Sequence, residues 1–182
     1  MKDVYANSTI TCITAPRNTK SRGNGKTCLM TWLGYIDHQK GRKIIANYDL
    51  GFDYTYMKLE DVVKLPPELQ NATVLLDEIQ EGADARTFFK KSNMALATLA
   101  KQLRKRNIVL FFTTQRFKEV DIRLREQTDI IVFTRPLGNG FFYVEVYEFK
   151  GGQEKLAHFQ FDGKPFFHLY DTEEIITFKE ED

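Results

Sequence analysis

Gly23-Asn24-Gly25-Lys26-Thr27 lies between an apolar run, Ile10 to Ala15, and an amphipathic segment that begins at Thr27. A phosphate-binding loop needs a strand to anchor it, glycines that let backbone N–H groups approach the phosphates, a lysine, and a hydroxyl for Mg²⁺. All four are present in that order. The full spacing Gly-x-x-x-x-Gly-Lys-Ser/Thr is incomplete, because Lys20 stands where the first glycine belongs. The strand is also separated from Gly25 by about four residues more than usual. A Gly-Lys-Thr triplet has little specificity alone, so the reading rests on partners further along the chain.

Before the loop, Pro16 ends the first expected strand, and Arg17-Asn18-Thr19-Lys20-Ser21-Arg22 adds three positive charges. This stretch reads either as a solvated insertion or as a basic flap near a triphosphate or DNA. Beyond Thr27, Leu29, Trp32, Leu33 and Ile36 recur at the i, i+3, i+4, i+7 spacing of a buried helix face, with Gly41 suited to its end. Trp32 reads as core. A second strand is expected over Lys43 to Tyr48, a turn over Asp49 to Asp53, and a short helix around Leu59 to Lys64 stopped by Pro66-Pro67.

Thr73-Val74-Leu75-Leu76-Asp77-Glu78 supplies the second signal. Strands of a parallel sheet covered on both faces are continuously apolar, and ligands bind at their carboxyl ends. Asp77 and Glu78 are therefore expected on the same edge as the Gly-Lys-Thr loop. An aspartate there can hold Mg²⁺, and an adjacent glutamate can orient or deprotonate an attacking water. A strand simply ending in polar solvent would look similar; the upstream loop favours the chemical reading.

Ser92 can cap a helix whose buried face is Leu96, Leu99, Ala100 and Leu103. Lys101, Arg104, Lys105 and Arg106 crowd its C-terminal end, where the helix dipole favours cations. Ile108 to Phe112 reads as a strand ending in Thr113-Thr114-Gln115, and Glu119 to Gln127 as a short helix carrying Arg123 and Arg125. Asp129 to Thr134 reads as a further strand. This alternation predicts a three-layer α/β domain with a mainly parallel sheet. The remainder differs: Phe141 to Phe149 and Glu154 to Phe161 predict an antiparallel hairpin at one edge, and Tyr170 to Glu174 a last helical turn before an acidic tail.

With 182 residues the chain is expected to form one domain, a core over about 10–135 with a hairpin extension over about 136–182. The net charge of +1 confines any nucleic-acid-binding surface to local patches. Cys12 and Cys28 have neither zinc nor redox spacing and read as core in a reducing compartment. No apolar run is long enough to span a bilayer and no signal peptide is visible. The expected location is host cytoplasm or virion, soluble and not secreted.

The order of parts resembles the FtsK–HerA superfamily of P-loop ATPases, closest to compact viral genome-packaging members. The residues that carry the resemblance are Gly25-Lys26-Thr27, Leu75-Leu76-Asp77-Glu78-Ile79-Gln80, Arg104-Lys105-Arg106-Asn107, Thr113-Thr114-Gln115 and Val120-Asp121-Ile122-Arg123-Leu124-Arg125. The resemblance implies a RecA-like P-loop fold and binding of ATP and Mg²⁺ by Gly23, Asn24, Gly25, Lys26, Thr27 and Cys28. Thr27 and Asp77 would be metal ligands, Glu78 the catalytic carboxylate and Gln115 a sensor on a strand between the loop strand and the Asp77 strand. Arg104 would be an arginine finger offered to a neighbouring subunit, with Arg106, Arg86 and Arg123 as rivals. The implied activity is double-stranded DNA translocation by a homo-oligomeric ring, packaging a viral or mobile-element genome, with a capsid, portal or membrane protein as docking partner. Lys90, Lys91, Arg116 and Lys118 are candidate DNA contacts. Two other activities fit a chain of this kind: a membrane-linked phage assembly ATPase similar to zonula occludens toxin, whose usual transmembrane helix is not seen, and a small-molecule nucleotide kinase, which would leave the Asp-Glu pair and Gln115 unexplained. A P-loop fold that binds nucleotide without turnover is the plainest alternative.

Overall fold

The computed structural model describes residues 10–16, 23–59, 61, 66–79, 101–150 and 154–171. Among these, eight strands form one sheet in the order β3-β2-β4-β5-β1-β6-β7-β8. The strands are β1 (Ile10–Thr14), β2 (Lys43–Ala46), β3 (Thr55–Tyr56), β4 (Ala72–Leu76), β5 (Val109–Thr113), β6 (Ile130–Gly138), β7 (Phe141–Glu148) and β8 (Lys155–Asp162). From β3 to β6 every pairing is parallel, and β6-β7-β8 is an antiparallel meander. The expected three-layer α/β architecture with a mainly parallel sheet and a C-terminal antiparallel hairpin is the architecture observed.

Alternation along the central strands sends side chains to two separate cores. Val74, Leu76, Leu110 and Phe112 join Cys12, Leu103, Val120 and Leu124 on one face. Leu75, Phe111, Ile13 and Val132 join Leu29, Met30 and Leu33 on the other. Helix α1 (Lys26–Gln39) covers the second face. It approaches the sheet closely at Gly34, where an added Cβ would stand 2.5 Å from Leu75 Cδ1. Gly41, at φ 79°, takes the left-handed conformation that commonly follows a helix end. The helical residues 101–105 and α2 (Ile122–Gln127) contribute Leu103 and Leu124 to the first face.

Several element boundaries differ from expectation. β2 stops at Ala46 rather than Tyr48: Asn47 N still donates to Leu75 O, but beyond it the Asn47 side chain, not the backbone, bonds the main chain of Asp77 past the end of β4. The helix expected from Glu119 starts at Ile122: Phe117–Glu119 is a 3₁₀ turn, and the Asp121 side chain accepts from Arg123 N as a cap. β6 runs four residues past Thr134, turning through Asn139-Gly140 into β7. A 3₁₀ segment, Lys164–Leu169, packs beside α1. Of the turn expected over Tyr170 to Glu174, with Thr172 or Asp171 as cap, the structure describes Tyr170, extended and bridging Leu50 ahead of the cap, and Asp171. The rest of that expected turn, the acidic tail and most of the expected helix from Ser92 lie outside the described residues.

Trp32 lies at the edge of the α1 core, tilted against Phe161 at 4.9 Å and Phe166 at 6.2 Å between ring centroids. The C-terminal meander and 3₁₀ segment thus share one apolar layer with the helix that follows the phosphate loop.

Candidate nucleotide site

Three parallel strands, β1, β5 and β4, lie side by side, and the chain leaves each at the same edge. From β1 it leads to Gly23–Lys26, from β4 to Asp77-Glu78, and from β5 to Thr114-Gln115. β5 separates β1 from β4, the placement the resemblance implies for the Gln115 strand.

Gly25 caps α1 in the left-handed conformation, φ 76°, and Gly23 is left-handed as well, φ 74°. The first i to i−4 bond of the helix runs from Leu29 N to Gly25 O, 2.9 Å. The N–H groups of Lys26, Thr27 and Cys28 therefore precede it, at the positive end of the helix dipole where phosphate binds. Lys26 and Asn24 are buried. Gly25 also needs to be glycine for space: an added Cβ would lie 2.5 Å from the Phe142 ring of β7. Sequence reasoning gave the hairpin no part in the loop; an aromatic residue far along the chain carries no local sign of such contact.

The Thr27 hydroxyl lies 3.1 and 3.0 Å from the two Asp77 carboxylate oxygens, and the Thr113 hydroxyl donates to the same carboxylate. Burial pushes the Asp77 carboxyl above the usual carboxylate range; the Thr113 and Thr27 hydroxyls pull it down, Glu78 adds to the rise and Lys26 opposes it. A desolvated carboxylate beside a hydroxyl is an oxygen donor set suited to a hard divalent cation that takes its remaining ligands from phosphates and water. Among the described residues no three His, Cys, Asp or Glu gather into a self-sufficient metal site. Mg²⁺ bound together with a nucleotide does not require one, so Thr27 and Asp77 fit the role.

Glu78 follows in the left-handed region, φ 47°, with its N–H donating to Thr113 Oγ1 at 2.9 Å. Asn47 bonds the Asp77 main chain twice, accepting from N at 2.7 Å and donating to O at 3.0 Å. Asn47 carries no signal in the sequence, since an asparagine after a strand is commonplace, and Thr113 stands there only as part of Thr113-Thr114-Gln115, with no role of its own. Thr31 of α1 and Tyr48, in the core that α1 covers, share a hydroxyl hydrogen bond of 3.0 Å. The Cys28 thiol donates to Gly163 O, and burial lifts it to about 11, so its side chain is structural and only its main chain borders the phosphate position.

The remaining candidates are dispersed. Gln115 lies just past β5 on the site edge. Arg116 and Lys118 are exposed on the same edge, Arg116 paired with Glu119 at 3.2 Å. Arg104 is at the opposite edge: it pairs at 3.1 Å with Asp129, whose other oxygen accepts from Ile10 N at the start of β1. Arg106 bonds Pro66 O and Gln102, and Arg123 pairs with Asp121. Arg86, Lys90 and Lys91 lie outside the described residues.

Taken together, the sheet order, the glycine-capped helix and the Thr27–Asp77 contact define a P-loop NTPase fold. No family model matches the chain and no curated protein matches it in sequence. Solved structures do match in fold. The N-terminal domain of zonular occludens toxin from Neisseria meningitidis is similar at a TM-score of 0.55 and 20% identity, over 90% of this chain and 99% of that one. The genome packaging NTPase B204 from Sulfolobus turreted icosahedral virus 2, in complex with AMPPCP, is similar at 0.56 and 11% identity, over 84% and 96%. B204 described as the DNA-packaging ATPase of Sulfolobus turreted icosahedral virus is similar at 0.51 and 15% identity, over 82% and 96%.

Proposed function

We propose that this protein is a Mg²⁺-dependent ATPase that translocates double-stranded DNA, packaging a viral or mobile-element genome as a homo-oligomeric ring. The observation that carries the hydrolytic part is the meeting of Thr27 and Asp77 beside a buried Lys26, with Glu78 next in sequence. The fold shared with the viral packaging NTPase supports the choice of substrate class. Lys26 and the first N–H groups of α1 bind the phosphates, Thr27 and Asp77 hold Mg²⁺, and Glu78 orients the attacking water and accepts its proton. Bound Mg²⁺ supplies charge neutralisation at the phosphates. Gln115 reports the terminal phosphate, and Arg104, far from its own subunit's loop, is offered to a neighbour's nucleotide. The whole chain acts as one domain, with the hairpin extension continuing the motor's sheet. Arg116 and Lys118 on the site edge, together with Lys90 and Lys91, grip DNA phosphates without reading bases. No helix among the described residues is long and apolar enough to cross a membrane. A capsid, portal or membrane protein serves as the dock.

A second reading, a membrane-linked phage assembly ATPase, is favoured by the likeness to the zonular occludens toxin domain, nearly all of which is matched. ATP hydrolysis measured with and without linear double-stranded DNA, with Glu78→Gln as blank, separates the possibilities. Stimulation by duplex that vanishes in the blank supports the translocase. Turnover indifferent to duplex favours the assembly ATPase, and turnover only with a small phosphate acceptor overturns both in favour of a kinase.

A further inference from the structure

Among the described residues, four that are not glycine have positive φ: Asn71, Asn107, Asn139 and Glu78. Asparagine tolerates that region because its short amide bonds locally; glutamate has no such compensation. A left-handed glutamate persists only where its surroundings impose the conformation, and such strain gathers at functional sites.

The surroundings are visible on both sides of the Asp77–Glu78 peptide. On the β2 side, Asn47 Oδ1 accepts from Asp77 N at 2.7 Å and Asn47 Nδ2 donates to Asp77 O at 3.0 Å. On the β5 side, Thr113 Oγ1 accepts from Glu78 N at 2.9 Å, and Ile79 N donates to Thr113 O at 3.3 Å. β2 and β5 are the two neighbours of β4, so the peptide is gripped across both of its strand interfaces. Both Asn47 bonds go to main chain. They therefore fix the backbone without competing for the Asp77 carboxylate, which is left to Thr27 and Thr113.

We propose that Asn47 and Thr113 form a two-sided clamp that locks the Asp77–Glu78 peptide and thereby aims the Glu78 carboxylate, making Asn47 a positioning residue for hydrolysis that touches neither nucleotide nor metal. This rests on the ATPase reading of the site. An amide is the fitting side chain because it offers one donor and one acceptor at the spacing of a peptide's C=O and N–H. Aspartate keeps the acceptor but loses the donor and opposes the Asp77 carbonyl with a second oxygen.

The test uses Asn47→Ala and Asn47→Asp, and Thr113→Val with Thr113→Ser as its conservative counterpart. Both Asn47 variants are expected to lower kcat on the order of 100-fold, the scale of a misplaced catalytic group. Affinity for a non-hydrolysable ATP analogue should change less than about threefold, because nucleotide contacts are intact. Thr113→Ser should retain turnover that Thr113→Val loses. In nucleotide-free protein, amide exchange at Asp77 and Glu78 should quicken in the Asn47 variants. Unchanged kcat or a matching loss of analogue affinity overturns the proposal. If the wild-type protein hydrolyses no ATP, the ATPase reading fails by itself. The exchange measurement then decides the clamp alone: unchanged protection at Asp77 and Glu78 in the variants refutes it.

Discussion

The Thr27 hydroxyl and the Asp77 carboxylate meet at 3.0 and 3.1 Å, although they belong to different elements, one in the first turn of α1 and one past the end of β4. The contact exists because β5 lies between the strands that lead to these two residues and holds both strand ends at one edge.

Replacing Asp77 with Asn separates binding from stability. Burial raises this carboxyl in the folded protein, so its contribution favours the folded state at pH below the unfolded value and is lost as pH rises through the folded one. At neutral pH the nucleotide-free Asp77→Asn protein should therefore melt higher than wild type, by roughly 2–4 °C. Its stability should also fall less between acid and neutral pH. The same variant should lose the thermal stabilisation that Mg²⁺ and ATP give the wild type, measured by calorimetry.

Lys26→Ala should abolish the stabilisation by nucleotide while leaving the ligand-free fold intact. At saturating ligand about 100-fold above Kd, the wild type gains about 2.7 kcal/mol, and the variant should gain none. A thermal shift in the variant equal to that of the wild type would place the phosphates elsewhere.

The two loop glycines should respond differently. Both are left-handed, but an added Cβ on Gly25 collides with Phe142, whereas one on Gly23 meets nothing within 4 Å. Gly25→Ala should lose nucleotide binding outright, and Gly23→Ala should retain it with stability lowered by about 1 kcal/mol, the ordinary cost of a left-handed non-glycine. Phe142→Ala should loosen the loop from the hairpin side, lowering stability by roughly 3–5 kcal/mol and nucleotide affinity with it. Titration calorimetry with an ATP analogue reads all three.

Arg104→Ala tests the ring. Its guanidinium sits with Asp129 at the edge opposite the phosphate loop, so it cannot serve its own subunit's nucleotide. If it reaches a neighbour's, DNA-stimulated turnover should fall by about 10³-fold or more, and mixing with Lys26→Ala subunits should restore part of it. Unchanged turnover would turn attention to Arg123 and Arg86.

Both thiols should resist modification in the folded protein. Cys12 and Cys28 are buried, and burial raises both thiols, Cys28 to about 11. A disulfide-exchange reagent at neutral pH should react with neither until denaturant is added.

The local signals were read correctly where a short stretch carries its own chemistry. Glycine before lysine and threonine fixes a helix N-terminus, and a continuously apolar strand ending in Asp77-Glu78 identifies a buried parallel strand. Neither reading depends on distant residues. Boundaries failed where a side chain replaces a backbone partner, as when Asn47 ends β2 by bonding β4 and Asp121 delays α2 by capping it. The 3₁₀ segment after β8 was missed because its stability comes from Phe166 stacking on Phe161 and from Gly51 N bonding Leu169 O, neither visible in local periodicity.

The fold class, the sheet edge that carries the candidate site and the identities of Lys26, Thr27, Asp77 and Glu78 as candidates are legible in the sequence alone, because residue type and hydrophobic period are local properties. That Phe142 backs the loop, that Asn47 and Thr113 grip the Asp77–Glu78 peptide and that Arg104 lies at the far edge emerge only in the folded chain. Those are relationships between strands brought together by sheet order, and sheet order is set by the packing of two cores at once, a property of the whole chain.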